Sequence, residues 1–303
     1  MACNPFACWP VSTGSPSLVK GSPVHRYLAI ALVFIAAGTA QAAEKKLDRT
    51  FTVSPGGTLL VDADGASVHV TGSDANQVVV HMITRSSEED LANSTLEATQ
   101  QGNDVTVSMR KSKRGWFAWG SWNTEQNIEV QVPRRYAVNV RTSGGSVELL
   151  NTAGAASLKS SGGDISARNV TGAVELKTSG GSIHADSIRG DVDANTSGGD
   201  VRLLQVDGKI KGHSSGGSLR VVLVGANRGI SATTSGGDIE LKLPRGTTGN
   251  LEATTSGGSV ESDLPVTSTG RLEDSRLVGS INGGGEAIYA RTSGGSIALR
   301  TTN

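Results

Sequence analysis

The chain has 303 residues, 40 of them glycine, with 28 basic side chains against 28 acidic ones and a formal net charge of zero. That balance gives no bulk electrostatic attraction for nucleic acid or an anionic membrane surface, so no nucleic-acid partner is expected. Aromatic residues are only 4%, so the core must be built from small and β-branched side chains.

In chain order, His25-Arg26 precedes an apolar run of 11 residues from Tyr27 to Ala37, and Ala40-Gln41-Ala42 supplies the small-x-small pattern that a signal peptidase reads. The run is too short to span a bilayer comfortably, which takes roughly 20 residues. Residues 1–43 are expected to be a cleaved signal peptide, with 1–23 untranslated and synthesis starting at Val24. No stable membrane span is then expected after cleavage. Cys3 and Cys8 both lie upstream of the apolar run, so neither a disulfide nor a lipidated cysteine is expected in the mature protein. Export to the periplasm, the medium or the cell surface follows.

Residues 44–140 read as a β-rich start that is not yet periodic. Phe51-Thr52-Val53 and Thr58 to Asp62 flank a Pro55-Gly56-Gly57 turn. Asp64 to Gly72 resembles the later repeat unit, with Val68 and Val70 alternating, and is expected to be the first rung of the stack. Ser86-Ser87-Glu88-Glu89 has capping-box spacing in front of a short helix running to about Thr99. That helix either covers an open sheet end or is a plain insertion. Val105 to Met109 and Ile128 to Val132 are strands of strict alternation. Between them Trp116, Phe117, Trp119 and Trp122 stand beside Lys113 and Arg114. This aromatic loop is the candidate contact site, able to stack on a sugar, enter a bilayer interface or anchor a protein; the alternative is that it folds back to cap the stack.

Residues 141–303 are dominated by Ser-Gly-Gly, starting at Ser143 and recurring at intervals of 18, 18, 18, 18, 20, 21 and 37. The last gap holds a worn copy at Leu277 to Ile281. A period of this size marks a solenoid, in which each unit covers the apolar face of the next. Apolar residues such as Ile165, Ala167, Val174 and Leu176 form two short runs of period two in each unit. Each coil of roughly 18–21 residues therefore carries at least two strands. The coils bend at a glycine near position 12 and at the paired glycines Gly144-Gly145, Gly162-Gly163, Gly180-Gly181, Gly198-Gly199, Gly216-Gly217, Gly236-Gly237, Gly257-Gly258 and Gly294-Gly295. Positive φ at these bends is the expected reason for glycine. The fold class is all-β, a single-stranded parallel β-helix or solenoid, right-handed rather than left-handed because the aliphatic spacing is nine and not six, with one short helix near the N-terminal end.

The residue after Gly-Gly alternates Ser146, Asp164, Ser182, Asp200, Ser218, Asp238, Ser259. Alternation keeps stacked carboxylates about 10 Å apart, which reads as charge avoidance along a ladder rather than a calcium site. The histidines His69, His81, His184 and His213 are scattered, with no Ser-His-Asp logic among them. No catalytic residue, metal site or cofactor is expected. Asp186, Arg189, Asp191 and Asp193 are the densest candidates for a polysaccharide-cleaving face, and a solvated edge explains them as well.

Ser54-Pro55-Gly56-Gly57-Thr58-Leu59-Leu60-Val61, the Val132-Pro133-Arg134 step, the serial Thr-Ser-Gly-Gly and the closing Gly283-Gly284-Gly285-Glu286 together resemble the putative adhesin domain of bacterial envelope proteins over roughly residues 44–303. The resemblance implies adhesion by analogy of shape and brings no ligand or catalytic residue. The expected function is a non-catalytic exported cell-envelope module, adhesin-like or structural, whose partner is an unknown envelope protein or glycan. The alternatives are a carbohydrate-active enzyme of the β-helix type and a partner-binding component of envelope stress sensing.

Overall fold

A computed structural model of the chain describes residues 43–111, 125–268 and 273–302. Among them, strands gather into one sheet of 12 and one of 13, closed on a single apolar core. Each coil gives one strand to each sheet. In spatial order the pairs are Asp104–Arg110 with Glu125–Pro133, Thr58–Ala63 with Ser67–Ser73, Ala137–Thr142 with Val147–Leu150, Ala156–Ser160 with Ile165–Thr171, and Val174–Lys177 with Ile183–Arg189. The stack continues with Val192–Thr196 and Val201–Asp207, Ile210–Ser214 and Leu219–Leu223, Ile230–Thr234 and Ile239–Pro244, Ala287–Thr292 and Ile297–Thr302, and Gly249–Thr255 and Val260–Ser262. The solenoid expected from the period is therefore present. Its two strands per coil pair in parallel, setting equivalent residues opposite one another, such as Val174 with Val192 and Ile183 with Val201, with one register shift between Leu203 and Val206 where 201–207 meets 219–223.

Alternation explains why these segments are strands. Ile165, Ala167, Val174 and Leu176 point inward and are almost wholly buried, while Ser166 and Glu175 face out. A sequence of period two has only one register that buries every apolar residue, so stacking is self-correcting.

At both ends the chain order departs from the spatial order. The coil 58–73 is not the outermost; it is clamped between 104–133 and 137–150. The last coil, 287–302, is likewise inserted between 230–244 and 249–262. Antiparallel strands lie beyond the outer coils. Gln77–Ser86 and Ala43–Thr52 extend one sheet and Thr95–Gln101 the other. At the far end Arg276–Ile281 runs antiparallel to Gly249–Thr255 and pairs with Val266–Ser268. The segment 277–281 is thus a closing hairpin strand and not a worn repeat. An antiparallel strand cannot continue a parallel ladder of coils, so this arrangement limits the stack.

The helix is shorter than its sequence suggests. It covers Glu88–Ala92, capped by the Ser87 side chain, which accepts from the Asp90 amide at 3.3 Å. Lys45 Nζ donates to the carbonyls of Leu91 at 3.2 Å and Ser94 at 2.6 Å, ending it. Thr95–Gln101 is then a strand, because the open edge of Asp104–Arg110 offers a full ladder of backbone partners and Leu96 becomes buried there.

The paired glycines do not carry positive φ; the reason for the second of each pair is contact. A Cβ on Gly163 would lie 2.3 Å from the carbonyl oxygen of Gly145, and one on Gly181 2.2 Å from that of Gly163. Positive φ belongs instead to the opposite bend. There Asn151, Asn169, Ser187 and Gln205 sit at φ between 53 and 59°, with Gly172 and Gly190 at 138 and 148°. These four side chains stand one coil apart, and Asn169 donates to Asn151 Oδ1 at 3.1 Å.

Before each Gly-Gly a buried hydroxyl ties coil to coil. Ser160, Thr178, Thr196, Ser214 and Thr234 each donate to the carbonyl of the second corner glycine in the preceding coil, at 2.7–2.9 Å. Thr196 is fully buried. Thr196→Val keeps the shape but orphans polar groups on two coils, and should lower stability by about 1–3 kcal/mol in urea unfolding.

The alternating position forms a second ladder. Asp164 Oδ1 accepts from the Ser182 amide at 2.7 Å, Ser182 Oγ from the Asp200 amide at 3.2 Å, and Asp200 Oδ1 from the Ser218 amide at 2.9 Å. In space Asp238 is followed by Ser296 of the inserted coil, whose amide donates to it at 2.8 Å. The alternation of acid and hydroxyl thus extends into the inserted coil and ends there, because the next coil offers Ser259, whose amide donates to Ser296 Oγ at 3.3 Å.

Candidate functional site

The residues of the proposed contact loop, Lys113, Arg114, Trp116, Phe117, Trp119 and Trp122, lie outside the described residues. The described surface offers a groove of about 570 Å³ across the outer face of the 13-stranded sheet. Its floor is small because Ala137, Ala155 and Ala173 occupy one position in three successive coils, and the next two coils place Asp191 and Lys209 there. Alongside run Asn139, Ser157, Glu175, Asp193 and Lys211, one per coil in direct register. The groove is thus apolar and narrow-walled at one end and charged at the other.

Glu175 is its best-organised group. Lys177 bonds to one carboxylate oxygen, while Lys159 Nζ reaches the other at 2.9 Å and Ser157 Oγ donates to it at 2.8 Å. Hydrogen bonds from Lys177, then Lys159 and Ser157, hold the Glu175 carboxyl down at about 2. Its folded pKa is depressed, so its contribution to stability is present above the ordinary value of 4.5 and is lost as pH falls towards about 2. Glu175→Gln should therefore be less stable than the parent at neutral pH, by a modest amount because the cluster is one-third exposed. The difference should shrink as urea midpoints are taken to acid pH. An ionised carboxylate is no general acid near neutrality.

The acidic cluster marked out in the sequence is divided by the fold. Asp186 lies in the 12-stranded sheet, whereas Asp191 and Asp193 belong to the groove in the other. Arg189 lines a separate hollow at the bend, beside Asn169, Ser187 and Gln205. Of the corner hydroxyls, Thr178, Thr196 and Ser214 are buried between coils, out of reach of a substrate, while Ser161, Ser179 and Ser197 of the Ser-Gly-Gly units are exposed.

The structure also joins histidines that look remote in sequence. On the outer face of the 12-stranded sheet Asp48 is paired with His81, His81 with Glu129, Glu129 with His69, and His69 with Glu148. His81 Nδ1 lies 2.7 Å from Asp48 and His69 Nδ1 3.1 Å from Glu148. Both imidazoles, Glu129 and Glu148 line one hollow of about 310 Å³ with Thr71 and Gln131. Strand 77–86 doubles back against 125–133, and no sequence spacing announces this. His184, further along the same face, is pushed down by burial and by the cations Arg168 and Arg202. His213 faces out from the other sheet and bonds Thr233 Oγ1 at 2.9 Å.

Comparison with known proteins bears on chain organisation. The family model described as Toastrack DUF4097 matches residues 58–300. No curated protein matches the chain. Similar solved structures include a putative adhesin from Bacteroides fragilis NCTC 9343, at 12% identity over 86% of this chain and 99% of that one, with a TM-score of 0.39. Another is a putative lipid binding protein from Parabacteroides distasonis ATCC 8503, at 15% identity over 85% and 97%, also at 0.39. A putative cell adhesion protein from Clostridium sporogenes ATCC 15579 shares 10% over 85% and 100%, at 0.26. Identities and scores this low transfer no ligand and no activity.

Proposed function

The chain belongs to the Toastrack DUF4097 family, whose model spans residues 58–300, and from that membership we propose a non-catalytic, exported binding or structural module of the bacterial cell envelope. The observation that carries the reading is the groove from Ala137 to Lys211, which crosses five coils and is lined by one residue pair from each. A cleft built by repetition offers an extended partner, such as a glycan chain or a protein segment, the same spacing at every step. The aromatic segment Trp116 to Trp122 supplies a second contact region in this proposal, through its aromatic faces and the neighbouring Lys113 and Arg114. Among the described residues no helix is long and apolar enough to cross a membrane.

The test is a glycan array together with capture from an envelope extract, using the parent, Ala155→Arg and the triple variant Trp116→Ala/Trp119→Ala/Trp122→Ala. Ala155 is exposed on the groove floor, so arginine there fills the groove without disturbing the core. Retention by the parent that falls in either variant supports the reading. No retention by the parent, or equal retention by all three, contradicts it.

A carbohydrate-active enzyme is the second reading, favoured by the meeting of Glu175, Asp191 and Asp193 in one groove. Release of unsaturated or reducing ends from polyuronates would establish it.

A further inference from the structure

We propose that His69, His81 and Glu129 form a binding site for a divalent transition-metal ion of the zinc and copper class, on the outer face of the 12-stranded sheet and separate from the groove. Strand pairing places the three side chains in one row, with Glu129 between the histidines. Adjacent strands are about 4.8 Å apart, so the backbones of the two histidines lie about 10 Å from each other with Glu129 midway between them. Two imidazoles and a carboxylate make a ligand set that zinc takes, with metal–ligand distances of roughly 2.0–2.2 Å. Imidazole donors also suit copper and nickel.

The outer neighbours give the second reason. A ligating histidine characteristically donates its other ring N–H to a carboxylate, which fixes the tautomer and orients the ring. Both histidines have that arrangement: His81 Nδ1 is 2.7 Å from Asp48 and His69 Nδ1 is 3.1 Å from Glu148. In the neutral tautomer that donates Nδ1–H to this neighbour, Nε2 keeps its lone pair for a metal. Glu129 itself receives one hydrogen bond among the described residues, from Asn127 Nδ2 at 2.9 Å to Oε1. A shared hollow lined by both rings and Glu129 gives the ion room and solvent access.

As the side chains stand, no three such donors among the described residues converge on one point. The pairing carboxylates lie on the far side of each histidine from Glu129, on strands 43–52 and 147–150. Closure therefore consists of turning two half-exposed rings inward over a fixed sheet.

The experiment is isothermal titration of the untagged full chain with zinc chloride, with His69→Ala, His81→Ala, Glu129→Gln and Asp48→Asn. His184→Ala and His213→Ala serve as controls for histidines elsewhere on the surface. One saturable zinc per chain is expected, at least tenfold weaker in His69→Ala, His81→Ala and Glu129→Gln and unchanged in the controls. Loss of the outer partner in Asp48→Asn should weaken binding about 10-fold or more. Far-UV circular dichroism confirms that each variant is folded, and Glu129→Gln preserves side-chain volume should an alanine variant fail. Absence of saturable zinc binding by the parent, undiminished binding in the folded histidine variants, or an equal loss in the two controls would overturn the proposal.

Discussion

Replacing Gly181 by alanine should destabilise the protein by about 3 kcal/mol, whereas Gly180→Ala, one residue away in the same corner, should cost less than about 1 kcal/mol. A methyl on Gly181 would sit 2.2 Å from the Gly163 carbonyl oxygen, 2.4 Å from its carbon and 2.7 Å from the Asp164 nitrogen. All three atoms are backbone and belong to the next coil, so no side chain can swing away. On Gly180 the nearest atom is 3.5 Å distant, an ordinary contact. Relief at Gly181 requires its coil to separate from that of Gly163, which stretches the parallel ladders on both sides of the corner, 156–160 with 174–177 and 165–171 with 183–189. At about 2–4 °C per kcal/mol for a domain of this size, the melting midpoint should fall by about 6–12 °C for one variant and scarcely move for its neighbour. Equal effects at the two positions would mean that contact between corners is not why the glycine is there.

Tyr136→Ala should cost about 3–5 kcal/mol, and Tyr136→Phe about 1 kcal/mol. Tyr136 heads the group of largest fully buried side chains and is 1% exposed. Its hydroxyl donates to the Asn103 carbonyl, and the Asn103 side chain in turn accepts from the Ser54 amide through Oδ1 at 2.6 Å and donates to the Ser54 carbonyl through Nδ2 at 2.8 Å. The residue therefore joins the first repeat coil to the turn of the 95–110 hairpin. Alanine would open a cavity at that junction and release the hairpin, while phenylalanine removes only the hydrogen bond. Burial, and secondarily Asp104, push the Tyr136 hydroxyl up to about 12 from its ordinary 10.0. Because the folded value is raised, this contribution is intact below about pH 10 and is lost as pH climbs towards 12. Alkaline unfolding should thus begin later in Tyr136→Phe than in the parent once their difference at neutral pH is subtracted.

Much of this architecture can be read from residue spacing. The recurrence of Ser-Gly-Gly and the paired period-two runs, such as Ile165/Ala167 and Val174/Leu176, specify coils, strands and core, because burial on a stack depends on local alternation. The alternation of Asp164, Ser182 and Asp200 was legible as charge spacing, though not as a chain of amide hydrogen bonds. The role of glycine at Gly163 and Gly181 is not legible in the sequence, since a missing Cβ serves equally for positive φ and for close approach. Only the neighbour's coordinates separate the two. The bend at position 12 is legible from its glycine, and Gly172 and Gly190 carry the positive φ expected there, but the left-handed residues just before it are not, because Asn151, Asn169, Ser187 and Gln205 are three residue types united by backbone conformation alone.

Long-range order was the least legible. Insertion of 287–302 between earlier coils leaves no trace in the period, because each Ser-Gly-Gly unit fits any neighbour of the same kind. The helix ended early because Thr95–Gln101 found an open edge that local propensity does not record. The meeting of His69, His81 and Glu129 depends on two reversals of chain direction, so a sequence reader sees only isolated histidines. The aromatic segment from Trp116 to Trp122 keeps its standing as a compositional signal and as part of the proposed function.

Ser-Gly-Gly is a stacking element rather than a loop around a site, and amide hydrogen exchange at its glycines distinguishes the two. The amides of Gly180, Gly198 and Gly216 donate to the carbonyls of Ser161, Ser179 and Ser197 in the neighbouring coil at 3.0–3.1 Å. They should exchange as slowly as the strand amides of Val174–Lys177 and Ile183–Arg189 on either side of such a corner, opening only with the coils themselves. Exchange at these glycines orders of magnitude faster than in the adjoining strands, as in a surface loop, would contradict it.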